Sequence, residues 1–192
     1  MVEAARGLFI KRGLAGVNMD LIAAEAGVAR QTLYNRFGSK EAIFRSALDA
    51  HWAALDAAAE KHLDANREPD DVLTDVADAV LDFIRERDQI AMTRMILAES
   101  RHDPDLARLF FDRGKRPLLA RLTEYLTEAT RQHILLCPDP QLAAREFLGM
   151  IQESLLWPLV MGAGAVEQTE AAVVASAKAV FLSAYLVPDT QT

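Results

Sequence analysis

Apolar residues return every three or four positions along almost the whole chain, and the interruptions of that rhythm fall mainly on glycine or proline. No segment alternates apolar and polar residues with the β-branched enrichment of a strand. The pattern predicts an all-α fold of about nine helices. Val2, Ala5, Leu8 and Phe9 mark a first helix ending at Gly13, with Lys11 and Arg12 in the last turn, where cations complement the helix dipole. Asn18 is a good N-cap for a second helix from Met19 to about Glu25, which Gly27 ends. A third runs from about Arg30 to Arg36, and Gly38-Ser39 separates it from a long fourth helix capped by Ser39. The polar run before Pro69 is the best boundary beyond that. Further helices are expected from Val72 to Phe83, from Ile90 to Glu99 and around Leu119 to Leu126, with Pro117 kinking or restarting the last of these. Two more are expected at about 141–161 and 167–186.

At 192 residues, 51% of them apolar, the chain can bury a substantial core. It has no apolar run near the roughly 18 residues of a membrane span and no signal-peptide pattern. A cytoplasmic protein with no membrane association is therefore expected. The lone Cys137 excludes an intrachain disulfide. The net charge of -7 is unevenly distributed. Residues 1–50 carry seven basic side chains against five acidic ones, whereas the remainder carries 14 against 23. That asymmetry suits a small anion-binding head on an acidic body.

Residues 18–40, NMDLIAAEAGVARQTLYNRFGSK, carry the functional signal. Two short helices joined by a glycine-containing turn match the helix-turn-helix pattern at about 18–37, in which the second helix enters the major groove. Ile22, Ala23, Ala26, Val28 and Leu33 are spaced to form the core between them. Arg30, Gln31, Thr32, Asn35 and Arg36 are left outward. Arginine offers a fork to guanine, glutamine and asparagine pair with adenine, and threonine meets a thymine methyl. Tyr34 and Lys40 are expected on phosphates, Lys40 beside the exposed amides that open the fourth helix.

The run Gly27 to Phe44, GVARQTLYNRFGSKEAIF, preceded by Ile22-Ala23, resembles the DNA-binding head of TetR regulators over about residues 2–48. The resemblance implies that Arg30, Gln31, Thr32, Tyr34, Asn35 and Arg36 lie on the recognition helix. It places Lys40 on the DNA backbone and the Asn18–Met19 helix start on phosphate. The chain departs from the family pattern at Ala29, where serine is frequent, and at Arg36, where histidine or tyrosine is commoner. It also opens almost on its first helix, without the basic arm of many relatives, from which weaker binding or a truncated start is expected. The stretch Ala98 to Ala107, AESRHDPDLA, with Phe110 and later Leu122, Tyr125 and Leu126, resembles the AefR-like C-terminal domains. The division implied is a head at 1–48 and a regulatory and dimerisation body at 49–192.

In that body Met92, Met95, Phe110, Gln152, Glu153 and Trp157 are candidates for an effector pocket, with ordinary core packing the competing account of the apolar members. The last two helices carry apolar residues on more than one face, which predicts a homodimer. The expected contacts are Leu148, Ile151, Leu155, Leu159, Val173, Val174, Ala177, Val180, Phe181 and Ala184. Glu99-x-x-His102 has di-iron spacing but occurs once, so no metal, cofactor or catalytic residue is expected. The function expected is a dimeric repressor on a palindromic DNA operator, released by a small-molecule effector. The alternatives are a helical small-molecule-binding or interaction protein without DNA function and a metal-carboxylate helical enzyme.

Overall fold

The computed structural model describes residues 1–59, 67–86, 88–164 and 167–187. Its helices are α1 (Val2–Arg12), α2 (Met19–Glu25), α3 (Arg30–Phe37), α4 (Lys40–Ala59), α5 (Pro69–Arg85), α6 (Gln89–Glu99), α7 (Pro104–Leu109), α8 (Arg116–Arg131), α9 (Pro140–Leu155), α10 (Trp157–Met161) and α11 (Glu170–Tyr185). A π-helical turn, Phe110–Lys115, joins α7 to α8, and only Leu156 separates α9 from α10, so these segments form nine rods. No strand occurs among the described residues; Leu135 and Leu186 form one isolated antiparallel bridge. The expectation that Pro117 kinks or restarts the helix is refined. The helix loosens over the whole turn before Pro117, which sits at the second position of α8, where its missing N–H is least needed.

The chain divides into two compact units, and the division does not follow chain order. The first comprises Met1–Asp56 together with Ala91–Gly114. Its core joins Phe9 of α1, Ile22 of α2, Leu33 of α3, Phe44, Leu48 and Trp52 of α4, Met92, Met95 and Ile96 of α6, and Leu106 and Phe110. Phe9 and Phe44 meet edge to face with centroids 5.3 Å apart, and Trp52 and Phe110 do so at 6.4 Å. The unit that holds the head is thus larger than residues 1–48. Helical periodicity marks which residues are apolar without naming the helix that covers them.

The second unit comprises Ala57–Ile90 and Lys115–Thr192. α5 buries Val72, Leu73, Val76, Ala77, Val80, Leu81 and Ile84 along one stripe. These pack with Leu122 and Leu126 of α8, Phe147, Leu148 and Ile151 of α9, and Ala177 and Phe181 of α11. Phe147 and Phe181 meet edge to face at 5.5 Å. The rim is polar: Lys178 on α11 donates to Asp70 at 2.8 Å and Thr74 at 2.6 Å on α5, and Arg85 reaches Glu170 at 2.5 Å.

Candidate nucleic-acid interface

The geometry of residues 18–40 is set by its caps. The Asn18 side chain accepts from the Leu21 amide at 2.9 Å and so fixes the start of α2. At the other end Gly27 takes the left-handed conformation, with φ at 65°. The Gly27 amide donates to Ala24 O at 3.2 Å and the Val28 amide to Ala23 O at 3.0 Å, the paired bonds of a Schellman turn. That turn sends the chain across α2 into α3, and Ile22, Ala23 and Leu33 are buried where the two helices meet. Ala26 and Val28, expected in the same core, are only partly covered. Ala29 is the N-cap of α3 and offers no side-chain oxygen to it. The Ser39 hydroxyl accepts from Ala42 N at 3.1 Å and caps α4, as expected.

Leu33 is the buried residue of α3, and Arg30, Gln31, Thr32, Tyr34, Asn35 and Arg36 are all exposed. Five of these side chains meet a neighbour. Gln31 Nε2 donates to Asn35 Oδ1 at 2.8 Å, which keeps the Gln31 carbonyl and the Asn35 amide hydrogens directed at other partners. Arg36 lies over the Phe37 ring at 5.4 Å. Arg30 lies over the Tyr34 ring at 5.3 Å and donates to its hydroxyl at 3.4 Å, while the other terminal nitrogen stands 3.1 Å from Asp20 Oδ1 on α2. The Tyr34 hydrogen bond, followed by the Asp20 charge, raises the guanidinium pKa further above its already high value.

Two expected residues are placed differently from the sequence expectation, and a third residue is missing from it. Met19 is buried, so its side chain serves the head's core and only its backbone opens α2. Lys40 turns back and donates to Leu14 O at 2.9 Å, tying the start of α4 to the loop after α1 instead of extending fully toward a phosphate. Asp20 escaped sequence reasoning, because its partner lies ten positions on, across a turn whose path no periodicity reveals.

The same unit contains a cleft of about 360 Å³ lined by Leu14, Ala15, Lys40, Glu41, Phe44, Arg45, Glu99, His102, Asp103 and Leu106. Asp103 is its structural pivot. One carboxylate oxygen accepts from the Asp105 amide and caps α7, and the other pairs with Arg45 of α4. Glu99 and His102 end α6 in a turn, and no group of three metal-binding side chains occurs among the described residues.

The helical order, the Schellman turn and the outward polar set have a counterpart in known proteins. The tetR family of bacterial regulatory proteins matches residues 1–47, and the AefR-like transcriptional repressor C-terminal domain matches residues 71–187. The chain belongs to the TetR family. It is a DNA-binding transcriptional regulator of the repressor type, in agreement with the sequence resemblance at both ends. Among solved structures, Flavonoid-responsive Regulator FrrA is 32% identical, with 98% of this chain and 96% of that one covered and a TM-score of 0.76. A putative TetR-family regulator from Mesorhizobium loti is 24% identical over 97% and 95% of the two chains, with a TM-score of 0.82, and shares the fold. The uncharacterized HTH-type transcriptional regulator YezE of Bacillus subtilis is 26% identical over 147 residues, 75% of each chain.

In this TetR regulator the six residues expected to line one pocket are divided between the two units. Met92, Met95 and Phe110 are core residues of the first, because Met92, Met95 and Ile96 form one buried stripe of α6. Gln152 and Trp157 are half-buried and Glu153 is exposed in the second. There Lys115 Nζ lies 5.3 Å above the Trp157 ring, and burial pushes the ammonium pKa down.

The residues expected at a dimer contact also divide, by burial. Leu148, Ile151, Leu155, Ala177 and Phe181 are buried inside their own unit, and Leu159, Val173 and Val174 pack against that core. Val180 and Ala184 do stand outside. Because α11 is apolar on several faces, its sequence does not separate the inward stripe from the outward one. The outward stripe also carries Ala172, Ser176, Ala179 and Ser183, none of them charged. No helix among the described residues is long and apolar enough to cross a membrane.

Proposed function

We propose that this protein binds a palindromic operator as a homodimer through α3, and that a small-molecule effector releases it. The observation that carries the DNA-reading assignment is the polarity of α3: one buried leucine and six exposed polar or aromatic-hydroxyl side chains, held on α2 by the Schellman turn. Arg30, Gln31, Thr32, Asn35 and Arg36 are the base-facing set, and Tyr34, Lys40 and the Asn18–Met19 helix start are the phosphate-facing set. Two copies related by a twofold axis present α3 to successive major grooves about 34 Å apart. Such a protein works in the cytoplasm, where its DNA is.

Association is assigned to the uncharged outward stripe of α11 around Val180 and Ala184, with exposed Leu142 of α9 adding apolar surface. Effector contact is assigned to the second unit, at Gln152, Glu153 and Trp157. The relative described as flavonoid-responsive, FrrA, supports a planar aromatic effector class. A ligand of this kind acts only through different affinities for the DNA-bound and released forms.

Selection of bound sequences from a random duplex pool tests the DNA assignment, and it is expected to return an inverted repeat. Arg30→Ala or Gln31→Ala then relaxes one position in each half-site, roughly 5- to 150-fold in affinity. A wild-type protein that enriches no sequence refutes the assignment. For the dimer, Val180→Glu is expected to give folded monomers by sedimentation, whereas Leu155→Glu unfolds the second unit outright. For the effector, a flavonoid panel is expected to contain a compound that raises the melting temperature and weakens operator binding together.

A further inference from the structure

The Asp20 carboxylate is an odd neighbour for a surface that meets a polyanion. It lies in the first turn of α2, more than half exposed, and it stands 3.1 Å from the guanidinium of Arg30, the first residue of the recognition helix. We propose that Asp20 is a positioning residue for sequence readout, which restrains Arg30 and withholds it from non-specific phosphate contact. The inference rests on the assignment of α3 as the DNA-reading helix and goes one step further, to what sets its selectivity.

An unrestrained arginine on an exposed helix start has a long flexible stem, and phosphate oxygens surround it on any DNA. Here the guanidinium is gripped from two sides. One terminal nitrogen faces Asp20, and the other donates to the Tyr34 hydroxyl, with the Tyr34 ring 5.3 Å beneath. Those two bonds use two of its five N–H groups, so donors remain for a base edge. The Tyr34 hydroxyl accepts from Arg30 and keeps its own proton for a phosphate oxygen, which links the restrained base reader to a backbone anchor. The Asp20 charge offsets that of Arg30 wherever no base acceptor rewards it, and it repels a phosphate that approaches from the α2 side. A neutral, uncharged acceptor such as a guanine edge meets no such repulsion. Non-specific affinity is thereby lowered more than specific affinity.

An acid in the first turn of a helix also favours the helix dipole, and that structural role alone must be told apart. The test compares wild type, Asp20→Asn, Asp20→Glu, Arg30→Ala and the Arg30→Ala/Asp20→Asn double variant. Each full-length dimer is titrated with the selected operator, with operators altered at the position relaxed by Arg30→Ala, and with scrambled duplex, at several salt concentrations. Asp20→Asn is expected to bind scrambled duplex about two- to fivefold more tightly per subunit and to lose discrimination at the Arg30 position by a similar factor. Its salt slope on scrambled duplex steepens by up to about one per subunit, as Arg30 gains a phosphate. Asp20→Glu keeps the wild-type slope, and the double variant discriminates no worse than Arg30→Ala alone. Equal weakening on all duplexes, in step with a lower melting temperature, overturns the proposal and leaves Asp20 a helix-start residue. If Arg30→Ala loses discrimination and Asp20→Asn does not, the proposal falls while the reading helix stands. If Arg30→Ala loses none at any position, both fall.

Discussion

Gly27 and Gly16 flank α2, and they resist substitution for different reasons that a pair of substitutions separates. At Gly27 an added Cβ meets nothing within 4 Å, so the whole demand is conformational: φ is 65°. Holding alanine there costs about 1–2 kcal/mol, and the stiffer unfolded chain returns about 0.4–1 kcal/mol of it, leaving a net loss of about 1 kcal/mol. At Gly16 the backbone is not left-handed, but an added Cβ lies 2.3 Å from the Arg12 carbonyl oxygen, and main chain has to move. That clash costs about 2 kcal/mol, within the usual range for overpacking. Asparagine tolerates the left-handed region, so Gly27→Asn loses roughly half as much as Gly27→Ala. Gly16→Asn carries the same Cβ and gains nothing over Gly16→Ala. The chain has two tryptophans, one in each unit, so a Trp157→Phe background leaves buried Trp52 as a fluorescence probe of the first unit alone. In urea, with a slope of about 2 kcal/mol per molar, Gly27→Ala shifts the Trp52 transition down by about 0.5 M and Gly16→Ala by about 1 M. The reasoning is refuted if asparagine is no better than alanine at Gly27, or if it is milder than alanine at Gly16.

Ala29→Ser supplies the oxygen that α3 lacks at its N-cap, where the backbone is already extended; the Trp52 transition is expected to move up by about 1 kcal/mol. Phe147→Ala empties the centre of the second unit beside Phe181 and costs about 3–5 kcal/mol, read by Trp157 fluorescence in a Trp52→Phe background. Two tyrosines are expected to hold their protons well past the ordinary phenol range. Tyr125 is pushed up to about 12 by burial, reinforced by the Glu68 charge, and Tyr185 to about 12 by its 2.5 Å hydrogen bond to Glu146. A raised folded-state pKa favours the fold fully below the unfolded value near 10, and that contribution is lost as pH rises through about 12. Phenolate absorbance is the measurement, with Tyr125→Phe and Tyr185→Phe each removing a step near pH 12; a step near 10 removed by either variant contradicts the assignment.

The parts of this fold that were legible in the sequence are those written locally. Asn18, Gly27 and Ser39 act on amides or carbonyls within five residues of themselves, and each does what its residue type predicts. Exposure of Arg30 through Arg36 followed from the single apolar tooth at Leu33. Long-range partners were not legible. Met92 and Phe110 belong to a buried stripe in either a pocket or a core, and only the fold shows that Trp52 and the head fill the space beside them. Leu155 and Val180 look alike in an apolar helix pair, yet one faces inward and the other outward. The bond from Lys40 to Leu14 O and the pairing of Asp20 with Arg30 are not legible for the same reason, since each partner lies across a turn.

The first unit is discontinuous in the chain, and this gives its biosynthesis a distinctive timing. The wall formed by Met92, Met95, Ile96, Leu106 and Phe110 is made well after Phe9, Phe44 and Trp52, which it covers. A ribosome adding about 5–20 residues per second takes about 3–12 s to travel from Asp56 to Gly114. During that interval the part of the core that Met92, Met95, Ile96, Leu106 and Phe110 supply is still missing from around Trp52. The same discontinuity dictates how heads can be exchanged between regulators. A graft cut after the fourth helix takes α3 and leaves behind residues 91–114 of the same unit, so an exchange of residues 1–56 together with 91–114 is expected to give a more stable first unit than an exchange of 1–56 alone.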